Sequence, residues 1–265
     1  MMSTRCGPIM RKRQKFVATA LLLSLGVGAV QAAGLELKYG LIAVLVLLTW
    51  VLAAWSLREG LTGVEWGVVT LPPVLFTVAT GLFFILLPAA WWARILIVVL
   101  FGIGQYALLL SANIFSVAAI RTIALLRAAH AVGFIMTLLT GFFLYDTILS
   151  FRLWPWWVGI LVAAATFALI LPALWSVELT EKITGRMWKY SGILAGCVGI
   201  LAGAVSFWPV NLAVASLFLT TMLYVFLGVS QHYFAQRLFK RTIYEYVTVG
   251  VVVLATMLFT SVWGG

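Results

Sequence analysis

Glu59 and Glu181 head two copies of one motif, Glu-x-[Leu/Ile]-Thr-Gly-x-x-Trp, with Thr62 and Trp66 in the first copy and Thr184 and Trp188 in the second. A carboxylate, a hydroxyl and an indole offer acceptors and donors to a ligand or a partner, and the charged acceptor makes the stronger hydrogen bonds. Asp146 and Arg94 form a second candidate set, because each flanks an apolar segment at the same predicted membrane level. An acid and a cation at headgroup depth are the groups that an enzyme of lipid-linked substrates needs. His130 shares the apolar segment of Asp146 but lies sixteen residues earlier. That is about 24 Å along a helix, so the two cannot act as a dyad.

Each candidate has a plainer reading. Gly63 and Gly185 let the repeated motif be a reused tight turn with a tryptophan anchor. Asp146 can be an interfacial charge paired with Arg152 or Arg94, and His130 a headgroup-level residue. No cluster of metal-ligating residues, phosphate-binding glycine loop, zinc-protease motif or Ser-His-Asp set at one level stands out, so no metal and no cofactor is expected. Cys6 and Cys197 lie in a polar tail and an apolar segment, with neither metal spacing nor a pairing partner.

These residues must be positioned by helices in lipid. Hydrophobic residues make up 64% of the chain and charged residues 9%, more apolar surface than a water-soluble domain can hide. Runs long enough to cross a bilayer fall near 16–33, 40–56, 67–87, 95–112, 129–149, 156–175, 191–208, 210–230 and 244–262. The expected fold is an all-α polytopic transmembrane helix bundle of nine spans, or eight if the first is cleaved. Basic residues followed by an apolar run and Ala29-Val30-Gln31-Ala32-Ala33 resemble a signal peptide. A retained helix is preferred, with Met10 as an alternative start.

Placing the N-terminus inside and alternating sides puts fourteen of the 17 basic residues inside, and only Lys38, Arg94 and Arg152 outside. The positive-inside rule then gives a cytoplasmic N-terminus and an outer C-terminus. Trp66 and Trp188 flank the inner side; Trp91, Trp92, Trp154, Trp156, Trp157, Trp208 and Trp263 cluster outside, at the depth indoles prefer. Arg121, Arg127, Arg237, Lys240 and Arg241 interleave with apolar residues in the inner connections 113–128 and 231–243. These segments suit short surface helices with basic side chains on anionic headgroups. That placement accounts for the net charge of +10 without nucleic acid.

The chain also repeats itself. Trp55-Ser56 recurs as Trp175-Ser176, Pro88 as Pro209 and Arg121-Thr122-Ile123 as Arg241-Thr242-Ile243, at offsets of 120 to 122 residues. The expectation is a parallel duplication of four spans, four spans and one, related by a pseudo-two-fold axis along the membrane normal. Residues 1–15 form the tail, 16–125 the first repeat, 126–243 the second, and 244–265 the ninth span and C-terminus. Gly192, Gly196, Gly199 and Gly203 share one helix face and should admit a neighbouring backbone. Pro72-Pro73 should kink the third span or delay its start, and Gln105 and Tyr106 need partners from neighbouring helices.

The stretches LLLSLG, WSLREGLTGVEW, LPPVLF, NIFSVAAIRTIALLRAAHAVGF, FFLYDTILSFRLW, WSVELTEKI, SFWPV and LFKRT together resemble an uncharacterised family of bacterial polytopic integral membrane proteins of candidate-phylum type. The resemblance implies a bacterial cytoplasmic membrane and implies no activity, ligand or catalytic residue. The leading expectation is a non-enzymatic scaffold, or a carrier of a small or lipidic molecule, with the interface between the copies as its site. A membrane protein partner or a homo-oligomer is compatible with it. The rival is a membrane-embedded enzyme using Asp146 and Arg94 on a lipid-linked substrate at the outer side.

Overall fold

In a membrane every backbone N–H and C=O must be satisfied within the chain, and a helix does so locally. The computed structural model follows that rule throughout. It describes residues 12–58, 65–87, 91–118, 125–180 and 183–261, and these hold nine α-helices and no strand. They are α1 (Lys12–Ala32), α2 (Leu35–Leu57), α3 (Glu65–Leu86), α4 (Trp91–Ala118), α5 (Leu126–Ser150), α6 (Pro155–Glu178), α7 (Gly185–Val205), α8 (Leu212–Phe234) and α9 (Lys240–Thr260). All nine are long and apolar enough to span a bilayer, the build of a multi-pass membrane protein.

The helices outrun most of the apolar runs that predict them. Lys12, Glu36, Arg127 and Arg186 are all helical although the runs exclude them, because backbone hydrogen bonding does not stop where hydropathy falls. The same effect leaves no separate surface helix at 231–243, while the middle of 113–128, residues 119–124, lies outside the described residues. Residues 113–118 extend α4, 126–128 open α5, 231–234 close α8 and 240–243 open α9. Where chain direction reverses, local chemistry marks the place. Leu179 caps α6 in the left-handed region (φ 48°), with its N–H on Trp175 O. Asn211 caps α8 by accepting from Ala213 N at 3.1 Å.

Successive helices run antiparallel. Lys15 of α1 lies over Trp55 of α2, His130 of α5 meets Ser176 of α6, and Arg186 of α7 lies over Phe234 of α8. Those contacts share one end of the bundle, the basic face, which also carries Arg58, Arg127, Arg237, Lys240 and Arg241. At the opposite face Asp146 of α5 meets Ser216 of α8.

Neighbour relations recur between the two quartets. The first helix of each packs on the second and fourth, and the second on the third: α1 on α2 and α4, α2 on α3, then α5 on α6 and α8, α6 on α7. Likewise α9 packs on α8 as α5 packs on α4. The contacts between quartets break the expected two-fold, however. Helix α3 packs on α5 and α6, whereas α7 makes no such packing on α1 or α2. A two-fold interface must be reciprocal; this one is head-to-tail.

Small residues set the closest approaches. A Cβ on Gly199 would meet Gly159 O at 2.6 Å, so α6 and α7 touch backbone to backbone. Only part of the glycine face does this. Gly192 and Gly196 have open space where a Cβ would stand, against the expectation for all four, because they precede the crossing point of the two helices. Helix α9 seats Tyr246 in the notch left by Gly228 of α8. Buried hydroxyls tie helices together elsewhere, as in Tyr145 OH to Thr166 Oγ1 at 2.7 Å and Thr49 Oγ1 to Thr77 Oγ1 at 3.2 Å.

Candidate functional site

Proline is the first determinant of the site. Pro72 and Pro73 lie inside α3, which continues unbroken from Glu65 to Leu86. Lacking N–H groups, they free the carbonyls of Val68 and Val69 one turn earlier. Pro172 does the same to Ala168 inside α6. The two helices bring Val68, Val69, Pro72 and Pro172 to one cavity of about 40 Å³. It lies between the quartets, lined by α3 and α4 from the first and α5, α6 and α8 from the second. A smaller void of about 10 Å³ adjoins it and shares Pro72, Leu108, Thr137 and Pro172.

The polar lining comes from four helices: Ser111 (α4), His130 and Thr137 (α5), Ser176 (α6) and Gln231 (α8). His130 Nε2 lies 2.7 Å from Ser176 O, near the end of α6. A carbonyl can only accept, so Nε2 carries the proton and caps an end-of-helix carbonyl. Phe115 packs on the same ring, with centroids 5.2 Å apart. Gln231 Nε2 donates to Ala173 O at 3.1 Å, next to Pro172, and Ser176 Oγ donates to the same carbonyl at 2.9 Å. His130 therefore faces an interhelical cavity near the basic end of the bundle. At about 40 Å³ the cavity has room for a few waters or a small polar group. That is well below the roughly 300 Å³ at which drug-sized ligands begin to be enclosed.

The candidates from the repeated motif separate. Glu59, Thr62, Glu181 and, among the predicted lipid contacts, Arg121 lie outside the described residues, as does Trp263. Thr184 is the exposed N-cap of α7; its side chain makes no capping bond and its carbonyl accepts from Met187 N at 2.9 Å. Trp66 is half-buried against the core, while Trp188 is exposed and tilts over Phe167 at 5.5 Å. The two indoles therefore occupy different settings. The Trp-Ser pair shows the same mixture: Ser56 and Ser176 each bond the carbonyl three residues back, yet Trp55 is 45% exposed and Trp175 2%.

Asp146 and Arg94 are not brought together. Ser216 Oγ donates to Asp146 Oδ1 at 2.9 Å, tying α5 to α8. Arg94 lines a cavity with Gln31 and Lys38 in the first quartet. Among the described residues Asp146 forms no ion pair with Arg94 or Arg152. Of the predicted lipid contacts, Arg127, Arg237, Lys240 and Arg241 are exposed on the basic face, and Arg241 pairs with Glu245 at 3.1 Å. Gln105 is fully buried on α4 and neither of its amide atoms has a partner among the described residues, contrary to the expected interhelical bonding. Tyr106, its neighbour, lines an apolar groove between α1 and α4.

Sequence reasoning misses Ser111, Thr137, Pro172 and Gln231, and reads His130 as peripheral. A signal exists for Pro172, a proline inside an apolar run that pairs in space with Pro72 although the repeat does not align them. No such signal marks Ser111 or Thr137. Comparison with protein-family models, with curated proteins and with solved structures finds no match to this chain.

Proposed function

We propose that this chain is a carrier of a small, weakly polar molecule, built on two like-oriented helix quartets that arose by duplication and left α9 as an extra opening helix. The observation that carries this reading is the convergence of Pro72 and Pro172 with His130, Ser176 and Gln231 on one cavity between the quartets. Helices whose backbone bonding is interrupted by proline can bend there, and freed carbonyls beside the second amide hydrogen of Gln231 and the Nδ1 acceptor of His130 make a site for a small polar group. The cavity's small volume suits an occluded state, opened to either side by movement of one quartet against the other. The recurrent helix neighbours support the duplication, and the head-to-tail contact leaves the quartets free to move unequally.

The proposed location is a bacterial cytoplasmic membrane, with the basic face inward, the N-terminus cytoplasmic and the C-terminus outside. Arg127, Arg237, Lys240 and Arg241 then meet anionic headgroups. Glu59, Thr62, Glu181 and Arg121 remain proposed contacts for a partner or for headgroups at that same face.

Access to the cavity tests the carrier reading without knowledge of the solute. In a background with Cys6 and Cys197 replaced by serine, Ser111→Cys and Thr137→Cys should react with a membrane-impermeant methanethiosulfonate reagent added to either side of oriented vesicles. Reaction from one side only, or from neither, excludes alternating access and leaves a scaffold.

A further inference from the structure

A second polar cavity lies at the opposite face of the bundle, wholly within the first quartet. Its volume is about 70 Å³, and Gln31, Lys38 and Arg94 line it with Phe84, Ala93 and Ile97. Four helix ends converge here: the last turn of α1 brings Gln31, the first turn of α2 brings Lys38, the last turn of α3 brings Phe84 and Ile85, and the first turn of α4 brings Ala93 and Arg94. Two cations face one small space, and no carboxylate among the described residues pairs with either. Gln31 Nε2 is sealed from solvent and has no hydrogen-bond acceptor among the described residues. The first backbone N–H groups of α4 add further donors, since a helix start has no internal acceptors for them. Among the lining side chains every polar atom except the amide oxygen of Gln31 donates; the last carbonyls of α3 are the backbone acceptors nearby.

The geometry points to a binding site for the phosphate group of a membrane phospholipid, held by Lys38, Arg94 and Gln31. Phosphate matches two unpaired cations and a buried amide N–H facing one space, and the guanidinium of Arg94 can hold two of its oxygens at once. Two of the helices that frame the cavity, α1 and α4, also enclose an adjacent apolar groove of about 460 Å³ lined by Leu21, Leu25, Val98, Gly102, Ile103 and Tyr106. Ile97 of the polar cavity and Val98 of the groove are consecutive residues. A phosphate in the cavity thus places an acyl chain along the groove. This site shares no residue with the cavity between the quartets and stands whether or not the chain is a carrier.

The test uses the full chain in detergent, titrated with dioleoyl phosphatidylglycerol and read by native mass spectrometry. One lipid should be retained per chain, and dioleoylglycerol, which lacks the phosphate, should not be. Each cation removed should weaken retention about fivefold, so Lys38→Gln with Arg94→Gln should weaken it roughly 25-fold. Lys189→Gln, an exposed cation on α7, should leave it unchanged. If the double variant does not fold, the two single variants carry the same comparison. Retention by the variants equal to that of the native chain overturns the site. Displacement of the lipid by millimolar inorganic phosphate overturns the lipid assignment and gives the pocket to a soluble phosphate.

Discussion

Gly199→Ala adds one methyl group where α6 and α7 already touch. Its Cβ would stand 2.6 Å from Gly159 O and 2.8 Å from the Cβ of Ala163. A relaxed carbon–oxygen contact is about 3.3 Å or longer, so the helices must part by roughly 0.7 Å at the crossing. A gap of that size forfeits a quarter to a half of each affected dispersion contact, and overpacking of this kind costs about 1–3 kcal/mol. Alanine also favours helix over glycine by up to about 1 kcal/mol, which would mask part of the loss. Gly192→Ala removes the ambiguity. It lies on the same helix, two turns earlier, with nothing within 4 Å of an added Cβ. The propensity gain is common to both variants, so their difference isolates the clash. Equilibrium unfolding in mixed micelles of increasing dodecyl sulfate content, followed by circular dichroism, should place Gly199→Ala about 1–3 kcal/mol below Gly192→Ala. Adding Gly159→Ala to Gly199→Ala should be non-additive, because the two sites share one contact. Equal stabilities for the two single variants, within about 0.5 kcal/mol, would refute the backbone-to-backbone crossing.

Other perturbations probe the remaining joints. Gly228→Val intrudes on the Tyr246 ring and should loosen α9 from α8 at a cost of about 1–3 kcal/mol; a cysteine pair between α8 and α9 would then cross-link more slowly than in the native chain. His130→Leu leaves Ser176 O without its donor and should destabilise by about 1–3 kcal/mol in the same micelle titration, with His130→Gln recovering part of the loss. Asp146→Asn keeps an acceptor for Ser216 and should be nearly neutral, whereas Asp146→Leu should cost about 1–2 kcal/mol; equal effects would mean the bond to α8 contributes nothing. A periplasm-active reporter fused near residue 152 or at the C-terminus should be active, and one fused near residue 60, 125, 185 or 238 silent. The opposite pattern reverses the proposed orientation.

The helices were legible because lipid imposes one rule on every span. A run such as 129–149 is apolar for long enough that only a spanning helix satisfies its backbone, and α5 occupies Leu126–Ser150. Their ends were less legible, since Arg127 and Lys240 are helical while being polar. What faces what was least legible. In water, an amphipathic stripe tells the buried face from the exposed one; in lipid both faces are apolar, and that signal is lost. Leu23 is buried and Leu25 is 74% exposed on the same helix, with nothing in residue type to separate them. The glycine row shows the same limit: spacing put four glycines on one face, but only the crossing point of α6 decides that Gly199 is at the contact and Gly192 is not.

That loss of contrast also explains why the recurrent residues, Trp175 and Ser176 apart, do not include those that line the cavity between the quartets. Recurrence in sequence can only highlight positions that the two quartets hold in common, such as the Trp-Ser pair near the ends of α2 and α6. A site between quartets draws on what each contributes differently. Pro72 comes from the third helix of its quartet and Pro172 from the second, so no alignment of the copies pairs them, yet they line one cavity. His130 and Gln231 likewise come from the first and fourth helices of the second quartet, and Ser111 from the fourth helix of the first. The head-to-tail packing of α3 on α5 and α6 is what makes these inequivalent positions neighbours, because a reciprocal two-fold would have produced the same meeting twice. Asymmetric residues at an asymmetric interface are therefore where the proposed carrier site draws its lining.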